Sequence, residues 1–336
     1  LRELRLSRQL SEVELGPLDE AETFALATDV AGRTLDLELA APLYRGSEGN
    51  PLFVVEMVRA GETSSSQQMM AHGRAQARAD LPLPPKVQQV IEARLAQLSP
   101  TARELAGVAA TIGRDFSFDV LAQAHGADEE TSVRALDELW RRRIVREQGA
   151  DAYDFSHDTI RKAAYEQLSA ARRRFLHRRV AYALESVYAA DLETIAGQVA
   201  AHYEQAGQVQ LAIPHYQRAA DAARRIYANE EAIVHSRRGL ALFDHLPSQQ
   251  TGKEEWQERA AGLHEGLGDV LNWTGQHDEA IAAYQQALLR VPQQDRIRRS
   301  RLHRKCGIIE RLQYRFQEGQ VTYDLAANAL GDDPTD

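Results

Sequence analysis

His157 and Asp158 stand side by side at the start of a helical pattern, with Ser156 before them and Ile160, Ala163, Ala164 and Leu168 behind. A helix amino terminus offers unpaired amides and the positive end of a dipole, and an imidazole beside it adds a ring hydrogen bond, so the pair could hold a phosphate. The plainer reading makes Ser156 or Asp158 an ordinary cap and leaves His157 at the surface. Far upstream, the turn-forming run Ser47-Glu48-Gly49-Asn50 leads into Pro51-Leu52-Phe53 and an apolar helix start. Proline in a first helical turn is expected whatever the function. Two basic runs remain, Arg141-Arg142-Arg143 with Arg146 and Arg172-Arg173-Arg174 with Arg178 and Arg179. Either could meet an anion or simply complement a helix end, and Arg174 and His177 are expected to face acidic neighbours. The string Gly-x-x-x-x-Gly-Lys-Ser/Thr does not occur, nor does a glycine-rich dinucleotide loop, so this chain alone is not expected to hydrolyse ATP. No catalytic set is assigned. No metal site is assigned either, because His202, His215 and His235 lack partners at ligand spacing. His264 with Glu265 reads as repeat surface, and Cys306 as a packed core residue.

The elements that must position these residues are mostly helices. Leu1–Leu10 reads as a short amphipathic helix, and 11–15 alternates like a strand that Gly16-Pro17 ends. Asp19 with Glu22 has the offset of a capping box. Helices are then expected over about 35–44 and from Pro51 to Arg59. Residues 61–80 are rich in Ser, Gln and Arg and read as a flexible segment. After Pro82, Pro84 and Pro85 come helices near 86–98, 99–112, 118–124 and 129–142, with Ser99-Pro100 as cap and first helical residue. Arg143–Arg146 and Ala152–Phe155 flank a glycine turn at Gly149, a β-hairpin signal. Helices followed by a hairpin is the order of a winged-helix domain.

Beyond Ser169 the whole pattern is helical. Gly268 leads to Ala280, Tyr284 and Ala287, and Gly307 to Gly319, Tyr323 and Ala326, the same offsets in each set. Leu267, Leu271, Gly275 and Pro292 complete one copy, and Gly207, Ala212, Tyr216 and Ala219, with Ala232 behind, form an earlier one. These are the offsets of a tetratricopeptide repeat, whose small residues let paired helices approach closely. A helical solenoid is expected from about 190 onward. By likeness to such arrays, Tyr216, Leu271, Tyr284 and Tyr323 are expected to line a partner-binding groove. The fold class is therefore mainly α: a helical lid, a winged-helix domain with a small hairpin, then a solenoid.

With 336 residues, the chain can bury two or three cores. A net charge of −9 disfavours whole-surface attraction to nucleic acid. One cysteine fits a reducing compartment, and no apolar run is long enough for a membrane span. A cytoplasmic location and no membrane partner are expected. Leu1-Arg2-Glu3-Leu4 already looks like mid-helix, so the sequence reads as an excised or partial chain.

Gly49-Asn50-Pro51-Leu52 and Phe155-Ser156-His157-Asp158 resemble two landmarks of the signal-transduction ATPases with numerous domains, the STAND class that includes the NB-ARC proteins. The likeness is to the bacterial branch, the large AAA-type ATPase modules associated with LuxR-type regulators and some class III cyclases. It departs from NB-ARC proteins in placing Phe155-Ser156 where they usually carry Met before the His. The resemblance implies residues 1–16 as a remnant of the ATPase core, 17–80 as lid, 81–168 as winged helix, 169–190 as linker helix and 191–336 as repeats. It implies nucleotide contacts from Asn50, Pro51, His157 and Asp158, with the proline on the adenine and the His on the β-phosphate of ADP. ADP or ATP with Mg would then belong to the full-length protein, whose ATPase core lies outside this chain. An inducer or partner protein would sit on the repeats, with self-association on activation, transcription regulation as output, and direct DNA binding by this chain disfavoured. Two other readings stay open: a repeat-type scaffold without a nucleotide role, and a winged-helix DNA-binding regulator.

Overall fold

A computed structural model describes residues 16–63, 85–149 and 151–331. The helix expected at 1–10, the strand at 11–15 and the flexible segment from 64 onward lie outside the described residues. The chain is mainly α and divides into two compact units, one of residues up to Asp115 with Val133–Gln167, the other of Phe116–Ser132 with Leu168 onward.

In the first unit, α1 (Glu20–Ala31) begins with a complete capping box: Glu22 N–H donates to Asp19 Oδ1 at 2.7 Å and Asp19 N–H to Glu22 Oε2 at 3.0 Å. A 3-10 turn (Leu37–Leu39) leads into α2 (Ala40–Ser47), and α3 is Pro51–Thr63. These helices close a small core of Ala27, Leu43, Val54 and Val58, backed by Leu26, Val30, Leu39 and Met57. The second part of the unit opens with α4 (Pro85–Ala96) and α5 (Pro100–Ile112), the latter capped by Ser99 Oγ accepting from Ala102 N–H at 3.2 Å. In chain order come strand β1 (Asp115–Ser117), helix α6 (Phe118–His125), which belongs to the second unit, and α7 (Glu129–Arg141), most of which returns to the first. Strands β2 (Val145–Gln148) and β3 (Ala152–Phe155) pair antiparallel, Val145 opposite Phe155, and the sheet order is β1-β3-β2. The turn between them carries Gly149 at φ 78°, a backbone that glycine adopts freely. Helix α8 (Asp158–Glu166) leaves β3 and packs on α5 and α4.

In the second unit, α9 (Ala170–Val187) packs on α6 and on α10 (Leu192–Gln205). Helices α11 (Val209–Arg225), α12 (Asn229–Phe243), a single turn α13 (Ser248–Thr251), α14 (Glu254–Trp273), α15 (His277–Leu288), α16 (Arg296–Leu312) and α17 (Phe316–Leu330) continue it. Four of the inter-helix turns share one design. Gly207, Tyr227, Gly275 and Tyr314 lie at φ between 60° and 79°. The N–H of the next residue reaches back five positions, as from Gln276 to Leu271 O and from Arg315 to Glu310 O, both at 2.8 Å. A small buried residue follows at the same distance each time: Ala212, Ala232, Ala280 and Gly319. It sits where the paired helices cross. At Gly268 a Cβ would lie 2.6 Å from the Tyr284 ring, so only glycine admits that ring.

This geometry extends the expected repeat. The solenoid is present, but the copy beginning at Gly207 is one helix out of step with the copy at Gly268, because α12 stands between α11 and α14. The missing turn is at Tyr227, where a tyrosine, as at Tyr314, fills the position that glycine holds at Gly207 and Gly275. Reading by glycines alone could not see it. The loop and short α13 before α14 lengthen the spacing further.

Candidate functional site

The turn between α2 and α3 and the amino terminus of α8 meet inside the first unit. Asn50 Oδ1 accepts from Leu52 N–H at 3.0 Å, which caps α3, and Pro51 is its exposed first residue. Phe53 is buried, with its ring centroid 5.5 Å from that of His157. The two sequence motifs, far apart in the chain, therefore share one locality.

His157 is the residue that precedes α8, in extended conformation, and its side chain makes no cap. Neither local candidate caps the helix. Ser156 Oγ donates to Arg143 O at 2.6 Å instead, and Asp158 turns its carboxylate onto Arg161 Nε at 2.6 Å and Lys162 Nζ at 3.4 Å. Burial alone would raise the Asp158 carboxyl, but Arg161 and Lys162 hold it below the ordinary value.

The cap comes from Glu48. Its Oε1 accepts from Asp158 N–H at 2.9 Å, and its two oxygens take Arg114 Nη1 and Nη2 at 3.2 and 3.3 Å. His157 Nδ1 stands 3.5 Å from Glu48 Oε2, too far for a well-formed bond, and this buried nitrogen has no hydrogen-bond partner. Burial would raise the Glu48 carboxyl, yet the His157 ring, the Asp158 amide and the Arg114 charge together keep it below the ordinary range. Donors from two directions, the Asp158 amide and the Arg114 guanidinium, thus converge on one anion, with the His157 ring beside it. Sequence reading named four residues here and missed the two that join them. Glu48 was hidden in a run that looked like a turn, and Arg114 lies between two elements where no periodicity flags it.

A second site lies in the helical repeats. A cleft of about 410 Å³ is lined by Gln217, Asp221 and Arg224 of α11, by Glu265 and Asp269 of α14, and by Arg301 and Lys305 of α16. With the single turn α13 set aside these are alternate helices, which is how a helical-hairpin solenoid builds its concave face. Gly262 and Gly266 form the floor: a Cβ at Gly266 would lie 2.8 Å from Arg224, and one at Gly262 3.2 Å from Gln217. Glu265 is gripped by Lys305 at 3.0 Å, Arg298 at 3.0 Å and Arg301 at 3.1 Å. Burial would raise its carboxyl, and these cations, Lys305 foremost, hold it low. Lys305 also reaches Asp269 at 2.6 Å and lies over the Tyr284 ring.

The expected groove residues need correction. Tyr216, Leu271 and Tyr284 are buried between helices, with Tyr216 bonded to Glu204 and Tyr284 to Asp269, both at 2.7 Å, while Tyr323 is half-buried against Gly307. Their ring positions follow the small-residue contacts inside each hairpin, so they hold the groove's walls and do not line it. The first basic run is engaged locally. Arg141 and Arg142 pair with Asp137 and Glu138 at 3.3 Å each, and Arg146 makes a bidentate bridge at 2.7 Å to Asp154 across the hairpin. Where an acidic neighbour is expected, His177 Nδ1 lies 2.9 Å from Nδ1 of His202. His215 Nε2 pairs with Glu185 at 3.0 Å. Cys306 is buried in the core of the repeats, and burial pushes its thiol up to about 12. Among the described residues no group of three His, Cys, Asp or Glu is placed to hold a metal ion, and no helix is long and apolar enough to cross a membrane.

No family model matches the chain. It is 28% identical over 271 residues to the uncharacterized protein R02095 of Rhizobium meliloti (strain 1021), a match covering 78% of this chain and 25% of that protein. The chain thus spans about a quarter of that relative's length. Among solved structures it resembles MamA, with 19% identity, TM-score 0.29, and coverage of 47% of this chain and 91% of that one. It also resembles the STAND protein with a tetratricopeptide repeat sensor PH0952 from Pyrococcus horikoshii, with 12% identity, TM-score 0.25, and coverage of 95% and 61%.

Proposed function

We propose that this chain is the regulatory and sensor part of a nucleotide-dependent signalling switch of the STAND kind. Residues 17–63 serve as its lid, 85–167 as a winged-helix module, and the solenoid groove receives an inducer or partner protein. The observation that carries this reading is the meeting of Glu48, Phe53, His157 and Asp158. Two motifs that resemble the class's nucleotide contacts lie against each other, and one buried imidazole nitrogen there lacks a partner. That donor set fits a phosphate: a guanidinium, an imidazole and helix amides are what an anion needs. In the intact protein ADP would supply the phosphate, and ATP with Mg the alternative occupant. This chain's own residues would do the holding, His157 and Arg114 by charge and hydrogen bond, Pro51 by its exposed ring at the start of α3. Hydrolysis is left to parts outside this chain, and output such as transcription regulation to an effector.

The groove supports partner binding on different grounds. Its polar lining is made of paired charges that a partner's own charges can exchange with, and any such ligand shifts a switch only by its differential affinity for the two states. Calorimetric titration of the full-length protein with ADP tests the nucleotide part. A charge-assisted hydrogen bond contributes about 1.5–3 kcal/mol, so His157→Ala should weaken ADP binding by roughly tenfold or more. Equal ADP affinity in both proteins removes His157 from the nucleotide site, and no binding by either removes the nucleotide role and leaves a repeat scaffold.

A further inference from the structure

Glu48 ends α2 in the left-handed region, at φ 48° and ψ 39°, a backbone that residues with a Cβ disfavour. Gly49 follows at φ 70°, and a Cβ there would lie 2.0 Å from Leu18 O. Leu18 N–H donates to Gly49 O at 2.9 Å, so the turn is pinned from behind. The result is one carboxylate carried out of its own helix and onto α8. The two side-chain acceptors at the helix start itself are engaged elsewhere: Asp158 faces Arg161 and Lys162, and Ser156 Oγ faces backbone carbonyls. The Asp158 amide therefore has Glu48 as its acceptor, and Arg114 has both Glu48 oxygens.

We propose that Glu48 is a releasable lock, a positioning residue that holds the α2–α3 turn on α8 and keeps Arg114 and the Asp158 amide occupied. A nucleotide phosphate would reach these donors and the His157 nitrogen only when the Glu48 carboxylate withdraws. The proposal rests on the nucleotide-switch reading and names how that site is regulated. Two features suit release. The Glu48 carboxylate is half-buried, and its partners offset the cost of that partial desolvation. Among the described residues the apolar core of α1–α3 holds no residue of α8, so withdrawal of the turn would part Phe53 from His157 but leave that core closed.

The test uses the full-length protein with Glu48→Gln, which keeps the side chain's size and removes its charge. Two quantities are read: ADP affinity by calorimetry, and hydrogen exchange of the peptide spanning the start of α8 without nucleotide. The lock predicts that Glu48→Gln binds ADP roughly tenfold tighter than wild type and that the α8 amino terminus exchanges faster. ADP affinity that is unchanged or weaker in Glu48→Gln overturns the lock, whatever the exchange shows. If no form binds ADP, the nucleotide reading falls. Exchange then decides the lock alone: faster exchange keeps it as a structural latch, and unchanged exchange ends it.

Discussion

At Gly49 a single hydrogen atom in place of a methyl decides whether the α2–α3 turn can form. Gly49→Ala places a Cβ against Leu18 O and forces a left-handed backbone that costs about 1–2 kcal/mol by itself. Urea denaturation should show a loss of at least that size, and an unchanged midpoint would mean the turn relaxes freely. His177 makes a different prediction. Burial, with Arg173 nearby, lowers its imidazole to about 4, so the folded state holds it neutral. The unfolded imidazole takes its proton near the ordinary value of about 6.5. Stability should therefore fall as pH drops from about 6.5 towards about 4 and flatten below, because the unfolded state binds the proton first. His177→Gln, which keeps a donor for His202, should show a shallower fall in melting temperature across that window. An identical slope would show that another group carries the acid sensitivity. Of these residues the sequence displayed His157 and Asp158, because a helix start announces itself by pattern. It concealed Glu48 and Arg114, because their role depends on a contact across the fold that no local spacing encodes.

Between elements, the contact that matters most is the crossing of paired helices in the repeats. Ala280 is fully buried where α14 and α15 cross, and Tyr284 fills the space that Gly268 leaves. Ala280→Phe should overpack this crossing and cost about 1–3 kcal/mol, read as a lower thermal midpoint with retained helical signal. A midpoint equal to wild type would contradict the register assigned to these hairpins. The repeats were legible in the sequence because close helix approach demands small residues at fixed offsets, and Gly268, Ala280 and Ala287 supply them. Their phase was not fully legible. Tyr227 and Tyr314 accept a left-handed backbone that a reader of sequence assigns to glycine, so one turn went unmarked. The groove was misread for a related reason: conspicuous tyrosines mark helix contacts, while the lining is built of charged residues and two glycines that look like ordinary surface.

At the scale of the whole molecule, one unit carries the α2–α3 turn and the start of α8, and the other a helical solenoid with a charged cleft. The proposed function requires that the motif pair in the first unit contacts nucleotide. The most direct measurement is hydrogen–deuterium exchange of the full-length protein with and without ADP, resolved to the peptides that open α3 and α8. The account predicts slower exchange on adding ADP at both starts, residues 51–54 and 158–161, since amides facing a bound nucleotide lose access to water. ADP that binds with protection confined to other segments, leaving both helix starts unchanged, would contradict it.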